Sequence, residues 1–169
     1  VSPRLKAVAL VPFQDVPEAV KELRRAVTEL KLPGLMLPAV GLRLPLGHES
    51  FWPIYEEAER LDCMVGVHAT VRGPHYFAAD MFDQFIEVHT LSHRFAQMMQ
   101  CTSMMFRGVF DQFPKLRVAY MEAGCSWAPY WFGRMNEEWE KRGAVEAPKC
   151  KKKPTEYFKE GRIFFHVQD

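Results

Sequence analysis

The sequence predicts a parallel α/β fold, and three observations carry that expectation. Short apolar runs begin near residues 5, 35, 64, 117 and 163, amphipathic stretches separate them, and the first run is apolar almost throughout. A strand buried on both faces, as in a parallel sheet, needs such a run, and regular alternation with helices is the signature of strand-helix units.

Residues 5–12 (LKAVALVP) form the first expected strand. A helix start follows, with Asp15 able to cap, Pro17 in the first turn and Glu18 three residues after the cap. Val16, Val20, Leu23, Val27 and Leu30 recur at helical spacing and define one apolar face, which ends near Lys31, Pro33 and Gly34. Residues 35–40 make the second strand, followed by a loop rich in Pro and Gly and a helix over 50–61 with Trp52, Tyr55, Ala58 and Leu61 on one side. The third run, MVGVH at 64–68, ends in a histidine. It opens a stretch from 69 to 113 that is helical in pattern but too long for one crossover helix, with Phe82, Phe85, Ile86, His89, Phe95, Met98, Met99, Thr102, Met105 and Phe106 on apolar faces. RVAYM at 117–121 is the fourth strand. Glu122, Ala123 and Gly124 follow it, then an aromatic helix over 128–142 that Gly143 is expected to close. IFFHV at 163–167 is the fifth strand, reached through the lysine-rich PKCKKKP, which reads as a solvated loop.

Composition excludes several functions. The chain has 169 residues, 22 Lys and Arg against 21 Asp and Glu, and 48% hydrophobic residues. A net charge of +1 provides no basic field for a phosphate backbone, so nucleic acid is not an expected partner. Uncharged stretches such as residues 32–42 fall far short of the roughly 20 residues that cross a bilayer, and no leader pattern opens the chain, so a cytoplasmic protein is expected, without membrane contact. The four cysteines, Cys63, Cys101, Cys125 and Cys150, include no CxxC pair and read as free thiols. Neither GxGxxG nor GxxxxGK[ST] occurs.

In parallel α/β folds, sites collect at the carboxyl ends of the strands, where the loops converge. Those ends select His68 and Glu122. A neutral imidazole fixed on a strand is suited to bind a divalent metal, the alternative being a hydrogen-bonded rim histidine. A carboxylate just after a strand can ligate metal or move protons, or else simply favour the N-terminus of the next helix. His89 and His93 stand four apart on a helical pattern, without the glutamate of HExxH, and read as coincidence. Met98, Met99, Met104 and Met105 read as core packing.

Several segments in order carry a family likeness: VPFQDVPEAVKELRRAVTELKLPGLML, FWPIYEEAERLDCMVGVHAT, FRGVFDQFPKLRVAYMEAGCSWAPYWFGRMNEEWE and PTEYFKEGRIFF. The sequence resembles the amidohydrolase-related family of metal-dependent (β/α)8 barrels, which includes aminocarboxymuconate semialdehyde decarboxylase and γ-resorcylate decarboxylase. The resemblance implies a partial TIM barrel over residues 1–169, a single incomplete domain whose five units correspond to strands three to seven. It places His68 as the strand-five metal ligand, for zinc or alternatively manganese. Glu122 stands where the decarboxylases carry a catalytic histidine, and Arg134 where an arginine reaches the substrate carboxylate of a neighbouring subunit or, failing that, serves as a helix-face charge. Phe77, Trp127, Tyr130 and Trp131 would line a pocket for a flat ring. The strand-one HxH-like motif and the strand-eight aspartate are not matched, Asp169 being part of the strand-seven segment.

The expected function is that of a metal-dependent hydrolase or non-oxidative decarboxylase of a small carboxylated or aromatic compound, working as a homodimer, with the fragment alone inactive. The rival expectation is an inert barrel relative that serves as a binding or assembly subunit.

Overall fold

The computed structural model describes residue 2, residues 4–69 and residues 81–167. Among the described residues five strands pair in chain order, all parallel: β1 (Ala9–Leu10), β2 (Gly34–Pro38), β3 (Met64–His68), β4 (Arg117–Met121) and β5 (Ile163–Phe165). Between them run α1 (Val16–Thr28), α2 (Trp52–Arg60, entered through a 3₁₀ turn at Glu49–Phe51), α3 (Phe85–Phe106), α4 (Val109–Gln112), α5 (Trp127–Glu146) and α6 (Pro154–Lys159). The expected parallel α/β order is therefore present. β3 and β4 coincide with their predicted spans because each is an apolar run whose central residues are all buried.

β1 is much shorter than the apolar run suggested. Ala9 and Val11 are buried, but Leu5 and Leu10 are exposed, because this strand has a described neighbour on one side only. Apolar composition marked the segment without establishing burial on both faces.

The Asp15 cap forms as read, its carboxylate accepting from the Glu18 amide, with Pro17 in the first turn. The buried face of α1 is Ala19, Leu23 and Ala26, and the larger Val16, Val20 and Val27 flank it half-buried, with Leu30 exposed. Small residues at the contact let the helix approach the sheet closely, so the face is rotated from the one that bulky residues indicated. Helix α5 runs on past Gly143, which is not its cap. A Cβ there would lie 2.8 Å from the Trp139 ring, and the glycine leaves room for that indole, whose Nε1 donates to the Cys150 carbonyl at 2.9 Å.

The lysine-rich loop is pinned rather than merely solvated. Lys149 pairs with Glu49 and lies over the Trp52 ring, Lys152 pairs with Glu160, and Lys153 reaches Glu140 at 2.5 Å. Below it, the Tyr157 hydroxyl donates to Asp111 and accepts from the Lys151 amide. Among the described residues no cysteine is joined in a disulfide, and burial pushes Cys63 up to about 11 and Cys101 up to about 12. Among the described residues, no helix is long and apolar enough to cross a membrane.

One buried charge joins α1 to α2. Glu57, with its side chain 7% exposed, accepts from Arg24 at 2.8 Å and from Arg60 at 2.6 and 2.8 Å. The two guanidiniums, Arg60 foremost, hold its carboxyl down at about 2 despite burial. A depressed folded-state value means that its stabilisation is complete above the unfolded value of 4.5 and fades as pH falls toward 2. Both arginines are about half exposed, which limits the contribution to about 1–2 kcal/mol. Acid titrations of unfolding free energy should therefore show Glu57→Gln less stable at pH 7, with the gap narrowing below pH 4.5 and closing only as pH falls through about 2.

Candidate active site

The two residues selected at the strand ends meet. His68 closes β3 and Glu122 follows β4, and the register opposes His68 to Met121, which places Glu122 one step beyond the last ladder pair. His68 Nε2 lies 2.6 Å from Glu122 Oε2, the distance of a strong imidazole-carboxylate hydrogen bond with the nitrogen donating. Their side chains are 39% and 48% exposed, so solvent and small molecules reach them. Glu122 has φ of +56°, in the left-handed region that non-glycine residues rarely adopt, and the turn is completed by Gly124 at +67°. A backbone cost of this kind is often found at functional positions.

His93 comes to the same mouth, which its spacing from His89 did not indicate. It is 8% exposed, its Nδ1 is 3.2 Å from Ser92 Oγ, and its ring packs edge-on to His89 at 5.2 Å, with Phe85 stacked on His89 beyond. Burial lowers its pKa, against the opposing charge of Glu122.

The face of α3 that meets the sheet is not the apolar one expected. Phe85 and Ile86 are exposed at 67% and 70% and Met99 at 43%, whereas Ser92, His93, Gln97 and Gln100 are buried beside Ala96, Cys101, Met104 and Met105. The helix crosses strand ends, where backbone carbonyls need donors, and glutamines supply them. Gln97 Nε2 donates to the Val67 and Met121 carbonyls at 2.8 and 2.9 Å. Gln100 donates to the Ala39 carbonyl at 2.7 Å and accepts from the Leu46 amide at 2.8 Å. Of the methionine cluster, Met104 and Met105 are core as expected, but Met99 is not.

The other expected site residues are not gathered around the pair. Arg134 is engaged along its own helix, with Nη1 2.7 Å from Glu138 and 3.3 Å from Glu137. Trp127 is 6% exposed, its Nε1 donates to the Gly124 carbonyl at 3.0 Å, and its ring packs edge-on against Phe165 at 5.1 Å. Tyr130 is 69% exposed, and the Trp131 Nε1 donates to Thr102 at 2.8 Å. Trp131 lines a groove of about 780 Å³ with Met99, Phe106 and Lys149 that includes neither His68 nor Glu122. Phe77, and also Asp169, lie outside the described residues.

Among the described residues, no group of three or more His, Cys, Asp or Glu side chains is placed to hold a metal ion. His68 and Glu122 are suitable donors, but two fall short of the three protein ligands of a catalytic zinc. The described residues do not by themselves hold a metal.

A family model described as amidohydrolase matches residues 1–162. The 2-amino-3-carboxymuconate-6-semialdehyde decarboxylase of Dictyostelium discoideum is 28% identical over 154 residues, covering 91% of this chain and 42% of that protein. The crystal structure of 5-carboxyvanillate decarboxylase from Sphingomonas paucimobilis superposes with a TM-score of 0.82 at 22% identity, over 95% of this chain and 47% of that one. A dihydroxybenzoic acid decarboxylase from Polaromonas sp. JS666, solved with bound manganese and the inhibitor 2-nitroresorcinol, superposes at 0.77 and 23% identity, over 96% and 50%. The chain thus spans about half the length of these relatives, and its five parallel units are a partial TIM barrel. The chain belongs to the amidohydrolase family.

Proposed function

We propose that the protein containing this chain is a non-oxidative decarboxylase of a small carboxylated, aromatic or otherwise unsaturated acid, and that the His68–Glu122 pair moves the proton. The observation that carries this reading is the 2.6 Å contact between the two at the carboxyl ends of adjacent strands. The names of the similar proteins support the reaction class.

Replacing carboxylate by hydrogen requires a proton at the carbon that bears it. Protonated Glu122 would deliver that proton, the carbon-carbon bond would break with its electron pair returning to the unsaturated system, and carbon dioxide would leave. Glu122, oriented by the hydrogen bond from His68 Nε2, would recover its proton from solvent. We assign His68 also as one donor to a divalent metal, zinc or manganese, which needs further donors beyond this pair. Arg134 would serve a neighbouring copy's substrate carboxylate by giving up Glu137 and Glu138, with the exposed Phe85, Ile86 and Tyr130 forming the face of a homodimer.

The test is made on the full-length protein, by carbon dioxide release from dihydroxybenzoates and related acids together with metal content. Glu122→Gln and His68→Ala are each expected to lower kcat by about 10²–10⁴-fold, and light scattering at micromolar concentration should show a dimer. Full turnover and full metal content in both variants would overturn the assignment, and a monomer would overturn the role of Arg134.

A further inference from the structure

We propose that Gln97 is the positioning residue of the His68–Glu122 pair: its buried carboxamide bridges the backbone carbonyls of Val67 and Met121, the residues immediately before the two. Both hydrogens of Nε2 are used, at 2.8 Å to Val67 and 2.9 Å to Met121. An amide group is planar and its two N–H bonds diverge at a fixed angle, so one side chain sets the separation of two carbonyls on neighbouring strands. Each carbonyl is one peptide unit away from the Cα of a pair member, and the separation is transmitted to His68 and Glu122.

The bridge sits on the last rungs of the ladder, where Val67 pairs with Tyr120 and His68 with Met121. The last ladder pair of β3 and β4 is His68 with Met121, and Glu122 leaves the strand at φ +56°. Glu122 lies one residue past that pair, and Gln97 adds a side-chain link across the two strands just behind it. Gln100, one turn further along the helix, has both ends of its carboxamide satisfied by a different segment, Ala39 and Leu46, and pins a loop.

Stability alone does not explain Gln97. Its side chain is fully buried and its Oε1 has no hydrogen-bond partner among the described residues. A buried unpaired acceptor is destabilising, a cost that an aliphatic residue of similar volume avoids. What the amide adds is the fixed distance between two strand ends, which a leucine or methionine cannot provide. The inference concerns the geometry of the pair and reaches turnover only through the function proposed above, so it is read without substrate.

The experiment is NMR on the full chain. In the parent, both Gln97 side-chain protons should be protected from exchange and show through-hydrogen-bond couplings to the Val67 and Met121 carbonyl carbons. The His68 Nε2 proton, shifted downfield by Glu122, reports the pair at one fixed pH. Gln97→Met keeps the volume and removes both donors, and should raise the exchange rate of that proton at least tenfold. Met105→Ala, equally buried on the same helix, lowers stability without touching the bridge and should change it less than threefold. The proposal is overturned if the parent lacks the two couplings, if Gln97→Met leaves the His68 proton unchanged, or if Met105→Ala moves it as much. The couplings need no variant, so a misfolded Gln97→Met still leaves a decisive measurement.

Discussion

Gly34→Ala is expected to cost the fold about 3 kcal/mol, near the upper end of what added volume in a packed interior brings. Gly34 opens β2 against Met64 of β3, and a Cβ on it would stand 2.1 Å from the Met64 carbonyl oxygen and 3.0 Å from its carbon. Those are backbone atoms of a paired strand, so no side chain can swing away. The two strands must separate by about an ångström or the pairing must shift, and a one-residue shift turns every side chain of β2 to the wrong face. For a chain of this size, about 3 kcal/mol corresponds to a drop in Tm of roughly 10 °C. Gly133→Ala is the matched control. It lies within α5 with nothing within 4 Å of the added Cβ, so the better helix propensity of alanine should raise stability by up to about 1 kcal/mol. Opposite signs for one chemical change, read by thermal unfolding, are the expected result. Equal effects would show that the β2–β3 approach is looser than described.

Glu122→Gly is expected to separate activity from stability, abolishing turnover by a factor of about 10²–10⁴ while leaving the fold as stable as before or up to about 1 kcal/mol more so. Two effects compete. Losing the contact with His68 removes a hydrogen-bonded pair whose partners are 39% and 48% exposed, worth about 0–1 kcal/mol. Relieving a non-glycine residue at φ +56° recovers about 1–2 kcal/mol. The second is the larger. Glu122→Ala distinguishes them, because it loses the pair and keeps the strain, and should be about 1 kcal/mol less stable than Glu122→Gly. Equal stability of the two variants in urea unfolding would mean that the backbone at this position carries no cost.

His68 and Glu122 were legible in the sequence because they end apolar runs, and the rule that sites gather at the carboxyl ends of parallel strands needs no tertiary information beyond that. Gln97 and His93 were not legible. A glutamine on a helix ordinarily marks the solvent side, and only the neighbouring carbonyl groups make it a buried donor; those carbonyls belong to every sequence and leave no trace in composition. The same blindness placed Phe85 and Ile86 on a covered face. Helical periodicity gives the spacing of the contacts but not what the helix lies against, and α3 lies against strand ends. Arg134 could be placed on its helix from sequence, but its partners one turn away, Glu137 and Glu138, decide how free it is.

The strand order has a consequence for how the molecule forms. Because each strand pairs with its neighbour in the chain, every ladder joins segments separated by a single crossover. Loop closure therefore costs a similar, modest entropy at each step, and no pairing has to wait for a distant segment. The sheet can grow as the chain leaves the ribosome, with each strand docking on the one already made. The longest wait falls between β3 and β4, where α3 and α4 intervene, so that the His68–Glu122 pair is assembled by the slowest of these closures.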